Sequence, residues 1–142
     1  MRTSRLLLCI IPLCIMGASA AHPETLKEIA ADSVLAGLSI DEMVFCAGIK
    51  NRYPVGVADT FPSDVFSVFC FTRIVGAKDT TAVVHTWYYG DREMASVELP
   101  VKSPLWRTWS SKKMRSELGG QWRVVVRTPD GTMIDSREFR LE

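Results

Sequence analysis

The chain has 142 residues, of which 47% are hydrophobic and 23% charged, with 9 Gly, 7 Pro and no biased low-complexity run. That length and balance fit one small globular core and exclude a disordered tail, a collagen-like repeat and a multidomain enzyme. The 17 Lys and Arg against 16 Asp and Glu leave a formal charge of +1, so no whole-molecule field steers the protein toward nucleic acid or an acidic substrate, and any charge argument must be local.

Arg2 and Arg5 precede an apolar run over residues 6–16, and Ala18, Ser19 and Ala20 place small residues at both positions a signal peptidase reads. The pattern predicts a secretory signal peptide over residues 1–20, cleaved after Ala20, and therefore export. The run is about half of the roughly 20 residues that span a bilayer, and Pro12 interrupts it, which argues against a permanent transmembrane helix. Cys9 follows Leu8 and Cys14 follows Leu13, neither of them the small residue that precedes a lipidated cysteine. Cleavage removes two arginines and no acid, taking the net charge to −1. Cys46 and Cys70 are then the remaining thiols, each in an apolar strand-like run. In an oxidising compartment they are expected to pair as a buried inter-strand disulfide, worth roughly 3 kcal/mol for a loop of about 25 residues. The alternative is two separate buried thiols.

Residues 24–38 read ETLKEIAADSVLAGL, with Leu26, Ile29, Ala30, Ser33 and Val34 at helical spacing. A short amphipathic helix, or a spacer, is expected over residues 21–41. After Asp41 the pattern changes to short runs of Val, Ile, Phe, Trp, Tyr and Thr divided by Gly, Pro and Asp, the mark of an all-β domain over residues 42–142. Strands are predicted near 43–49, 65–75, 81–89, 92–101, 121–128 and 132–141, with a less regular one around 105–111. Gly90 and Asp91 signal a two-residue hairpin, residues 129–131 a three-residue one, and residues 76–79 are assigned the same purpose. Ala95, Val97, Leu99 and Val101 alternate with Ser96 and Glu98, and Trp122, Val124 and Val126 oppose Arg123, Val125 and Arg127. Each sheet therefore has a dry face to cover. An immunoglobulin-like antiparallel β-sandwich of about seven strands covers it most simply. Ile134 and Phe139 are five residues apart and share a face only through a bulge, expected near residues 135–138.

The runs FCFTRIVGA, VVHTWYYGDREMASVELPV, WRTWSSKK and GGQWRVVVRTPDG, followed by Phe139, resemble the bacterial domain-of-unknown-function family 2914. The likeness extends over residues 43–141 and includes IKNRYP at 49–54, with Tyr53 where an acidic residue is more usual. It implies a small domain of exported or membrane-attached bacterial proteins and a Gram-negative envelope location. It brings no catalytic residue with it.

His85 and Trp87 share strand parity with Val83 and Tyr89, so all four point to one side of a sheet. A lone histidine makes a poor metal site, since His22 is the only other imidazole and zinc needs three or four ligands; a hydrogen-bonded structural histidine is expected, with no metal and no cofactor. A hydrolase centred on His85 and Ser110 can be drawn, but no nucleophile-elbow sequence accompanies it. No dinucleotide or phosphate-loop motif is present. The distinctive stretch is KSPLWRTWSSKKMR at 102–115, five cations without an acid and two tryptophans. Trp106, Arg107, Trp109, Lys112 and Lys113 are the candidate ligand-binding residues, suited to phosphate, anionic glycan or sugar stacking; a core tryptophan and a solvated cation run are the bland alternative. The expected function is a non-enzymatic exported module binding an anionic or glycan envelope component. The runner-up is a protein–protein accessory domain using a sheet edge, with no small ligand.

Overall fold

The computed structural model describes residues 37–142; the expected signal peptide, and the expected helical segment up to residue 36, lie outside the described residues. From there the chain is all-β, with strands β1 Ser39–Lys50, β2 Tyr53–Val57, β3 Thr60–Phe61, β4 Ser67–Val75, β5 Thr81–Tyr89, β6 Arg92–Val101, β7 Leu105–Lys113, β8 Gly120–Arg127 and β9 Met133–Leu141. A single 3₁₀ turn, Ser116–Leu118, precedes β8. Two sheets form, ordered β2-β1-β4-β7 and β3-β9-β8-β5-β6. Their facing sides make a β-sandwich core.

All seven expected strands are present, as β1 and β4 to β9. The structure has nine strands because β2 and β3 are added between the first two of them. Both are short, and Pro54 and Gly56 in β2 weaken any strand signal. Gly90 (φ 57°) turns β5 into β6 with Tyr89 opposite Arg92, the expected two-residue hairpin. Residues 76–79 do not make a hairpin: β4 and β5 lie in different sheets, so the segment crosses the sandwich. Gly76 (φ 84°) is required there, since a Cβ on it would stand 1.7 Å from the carbonyl oxygen of Gly37.

The core is aromatic. Trp87, Trp122, Phe45 and Phe139 are at most 1% exposed, with Phe45 and Phe139 centroids 4.5 Å apart and the Trp122 and Phe139 rings stacked at 6.0 Å. The tryptophan and tyrosine polar ends are satisfied: Trp122 Nε1 donates to the Leu118 carbonyl at 2.9 Å and the Tyr89 hydroxyl to the Gly119 carbonyl at 2.7 Å. Phe61 on β3, which runs parallel to β9, closes this cluster edge-on against Phe139. The expected bulge on the last strand exists but falls earlier. Register is continuous from Asp135 to Leu141 and breaks between Val126↔Asp135 and Arg127↔Met133, so Ile134 is the inserted residue. It is partly buried against the core.

The expected disulfide is absent, because Cys46 and Cys70 are both free and buried. The cause is register. Phe45 stands opposite Cys70 and Cys46 opposite Phe69, and cross-strand partners share a face while successive residues alternate. Cys70 therefore enters the core with Phe45, whereas Cys46 lies on the outer face of the sheet. A one-residue offset sends the two sulfurs to opposite sides.

Candidate functional site

Two polar constellations stand out, one sealed between the sheets and one on the outer face of the four-stranded sheet. The sealed one joins His85 and Trp87 of β5 to Ser110 of β7 and Thr72 of β4. Trp87 Nε1 donates to Ser110 Oγ at 3.0 Å, Ser110 Oγ lies 2.8 Å from His85 Nδ1, His85 Nε2 lies 3.3 Å from Thr72 Oγ1, and Thr72 Oγ1 donates to the Thr108 carbonyl at 3.2 Å. Proton counting fixes the direction. Thr72 spends its one proton on a carbonyl and so accepts from His85 Nε2–H; His85 Nδ1 is then an acceptor and receives the Ser110 hydroxyl proton. Every member is satisfied, and no buried side-chain polar atom among the described residues is left without a partner. Burial drives the His85 pKa down to about 4, which keeps the ring neutral and the chain of bonds in this one arrangement.

The serine and histidine of the hydrolase reading are thus in hydrogen-bond contact, yet in the wrong place for a nucleophile. His85 is 0% and Ser110 5% exposed, Ser110 Oγ is aimed at the ring nitrogen from inside the core, and the far nitrogen meets a threonine hydroxyl, with no carboxylate behind it. The pair works as a polar rivet between the sheets.

On the outer face, register places Arg107 and Trp109 of β7 opposite Arg73 and Phe71 of β4, with Val44 opposite Phe71 on β1. Phe71 faces away from the core and is still only 1% exposed. The β1–β2 hairpin supplies the contacts here. Asn51 (φ 51°) and Arg52 (φ 64°) form its two-residue tip in the left-handed region, and Arg52 reaches β7 past the intervening β4. Its Nη2 donates to the Arg107 carbonyl at 2.8 Å. Carbonyls alternate along a strand, and that of Thr108 faces β4, so that of Arg107 faces the free edge of β7. The Arg52 guanidinium sits at this edge, 5.3 Å from the Trp106 ring centroid and 5.7 Å from that of Trp109. In exchange, the Arg107 guanidinium lies 4.5 Å over the Tyr53 ring. Such cation–π contacts are worth about 0.5–2 kcal/mol each.

The charges on this face are unequal. Arg73 is neutralised by Asp41 at 2.6 Å and Glu42 at 3.6 Å. Among the described residues no carboxylate lies within ion-pair distance of Arg52, Arg107 or Lys113.

The candidate residues read from sequence are therefore divided by the pleat. Arg107, Trp109 and Lys113 share the outer face, where Lys113 covers the exposed Phe66 ring at 5.5 Å. Trp106 and Lys112 have the opposite parity, opposite Ile74 and Val68, and Trp106 packs partly against the core. Trp106 and Trp109 meet only through Arg52, which lies between them. Arg52 and Tyr53 were missed. The signal was available in Asn51, a left-handed-tolerant residue between two extended runs. Among the described residues no three of His, Cys, Asp and Glu gather as a metal site, and no helix is long and apolar enough to cross a membrane.

The sheet edges are blunted. Pro54 on β2 and Pro100 on β6 donate no hydrogen bond, β3 is two residues long, and Arg52 occupies a carbonyl on the edge of β7. These features weigh against the sheet-edge alternative.

Among curated proteins none matches this chain significantly in sequence. Among solved structures it is similar to a mutant β-glucosidase from Listeria innocua in complex with laminaribiose, at 12% identity and a TM-score of 0.41, covering 74% of this chain. The chain spans 16% of the length of that protein, and a likeness of this size assigns it no activity. Residues 80–141, which run from the start of β5 through β9 and include His85, Trp87, Arg107 and Trp109, match the family model described as "Protein of unknown function (DUF2914)". Through this segment, the chain is similar to the domain-of-unknown-function family 2914, and the match supports that assignment.

Proposed function

We propose that the protein is an exported, non-enzymatic binding module of a Gram-negative bacterial envelope, and that its outer four-stranded face meets an anionic or glycan component. One observation carries this reading: Arg52 and Arg107 are fixed by aromatic faces and a backbone carbonyl, without a carboxylate neighbour among the described residues. Guanidinium groups held in place but not neutralised are ready to bind oxyanions without paying much side-chain entropy. The strand connectivity supports an immunoglobulin-like frame, with β1-β4-β7 facing β9-β8-β5-β6 and β3 added parallel to β9. Burial of the Ser110 and His85 pair supports a role without catalysis. The reading involves no cofactor and no nucleic acid, and no membrane span after processing; the last two rest on the signal sequence at residues 1–20.

Chromatography on immobilised polygalacturonate tests it. Retention at low salt that is lost by about 0.3 M NaCl is the expected result, since exposed charge contacts are screened over about 10 Å at 0.1 M. Elution in the void volume at every salt concentration would contradict it.

A further inference from the structure

We propose that Arg52 and Arg107 form a two-arginine site for an oxyanion substituent, carboxylate or phosphate ester, of an acidic polysaccharide, with the β1–β2 hairpin as its positioning element. This deepens the anion-binding reading above and rests on it. The aromatic rings explain why the ligand is an anion rather than a neutral sugar. A sugar stacks on an open aromatic face, but Trp106 and Trp109 already carry the Arg52 guanidinium, and Tyr53 carries that of Arg107. Arg52 spends Nη2 on the Arg107 carbonyl, but its other N–H groups and those of Arg107 have no carboxylate partner among the described residues, and guanidinium N–H groups suit the oxygens of an anion. Neighbouring Arg73 does not compete for the ligand, because Asp41 and Glu42 hold it.

The backbone at Arg52 is the independent observation. A two-residue hairpin with both residues left-handed favours Gly at its second position, yet this one holds Arg at φ 64°. Glycine would make the turn more easily, so the side chain has a use beyond closing the hairpin. That side chain, 55 residues from Arg107 in sequence, ties the hairpin to β7 through the Arg107 carbonyl, while the next residue, Tyr53, carries the Arg107 guanidinium.

Glycine at this position separates the two roles. In Arg52→Gly the turn gains its preferred backbone, which offsets part of the lost hydrogen bond and cation–π contacts, so the protein is expected to stay folded with a lowered melting temperature, while binding to polygalacturonate or to polyglycerol phosphate falls at least tenfold. Arg52→Lys and Arg107→Lys retain charge but lose the fork, and each is expected to weaken binding several-fold; they decide the matter if the glycine variant fails to fold. Uncharged dextran is expected not to bind. Binding by either polyanion, or both, with this dependence on the forks supports the site, and the pair of probes tells carboxylate from phosphate. If the wild type binds polyanion and all three variants bind equally well, this site is wrong while the broader reading survives. If the wild type binds neither polyanion, both fail.

Discussion

His85 shows how one buried side chain couples fold stability to pH. Its neutral ring accepts from Ser110 and donates to Thr72, and burial lowers its folded-state pKa from 6.5 to about 4. The unfolded chain thus binds a proton that the native state refuses between those values, so stability attributable to His85 is full above about pH 6.5 and is lost as pH falls toward 4. The loss amounts to roughly 3 kcal/mol across that window. Denaturant unfolding at a series of pH values should show a steeper acid slope for wild type than for His85→Gln, which is itself expected to be less stable at pH 7 by about 1–3 kcal/mol through its broken hydrogen bonds. Parallel slopes for the two proteins would show that the imidazole does not titrate in this way. The sequence made the structural role of His85 legible through its parity with Val83 and Trp87. Its partners were not legible, because Thr72 and Ser110 reach it through strand order across two sheets, which no local pattern encodes.

At the scale of elements, register decides chemistry. Cys46 and Cys70 sit on hydrogen-bonded neighbours, one position out of step, and this sends Cys70 into the core and Cys46 beneath the outer face. Burial raises both thiol pKa values, that of Cys70 strongly, so neither is a ready thiolate. Iodoacetamide should leave both unlabelled in the folded protein and modify both once guanidinium unfolds it, without any reductant. Labelling that needs reductant, read by peptide mass at the two sites, would mean that a disulfide exists. The strands themselves were legible as alternating β-branched and aromatic runs, whereas β2 was hidden by Pro54 and Gly56 and β3 by its two-residue length. The expected bulge on β9 was right in kind and slightly misplaced. Where alternation breaks, spacing indicates that a residue is inserted but not which one.

At the scale of the whole molecule, the outer face combines residues from both halves of the described sequence. The cationic stretch at 102–115 announced itself by composition, and the pleat then divided it, keeping Arg107, Trp109 and Lys113 outside while Trp106 and Lys112 took the other parity. The missing half of the site came from the β1–β2 tip, whose link to β7 depends on tertiary packing. Net charge gave no warning of it, since the ion pairs of Arg73 leave Arg52 and Arg107 as a local excess in a nearly neutral protein. The most direct test of this account is a backbone amide NMR titration of the ¹⁵N-labelled protein with polygalacturonate fragments. Shifts confined to residues 50–57 and 105–113, centred on Arg52 and Arg107 and abolished by about 0.3 M NaCl, are the predicted result. Shifts centred on the five-stranded sheet, or a response unchanged by salt, would contradict it.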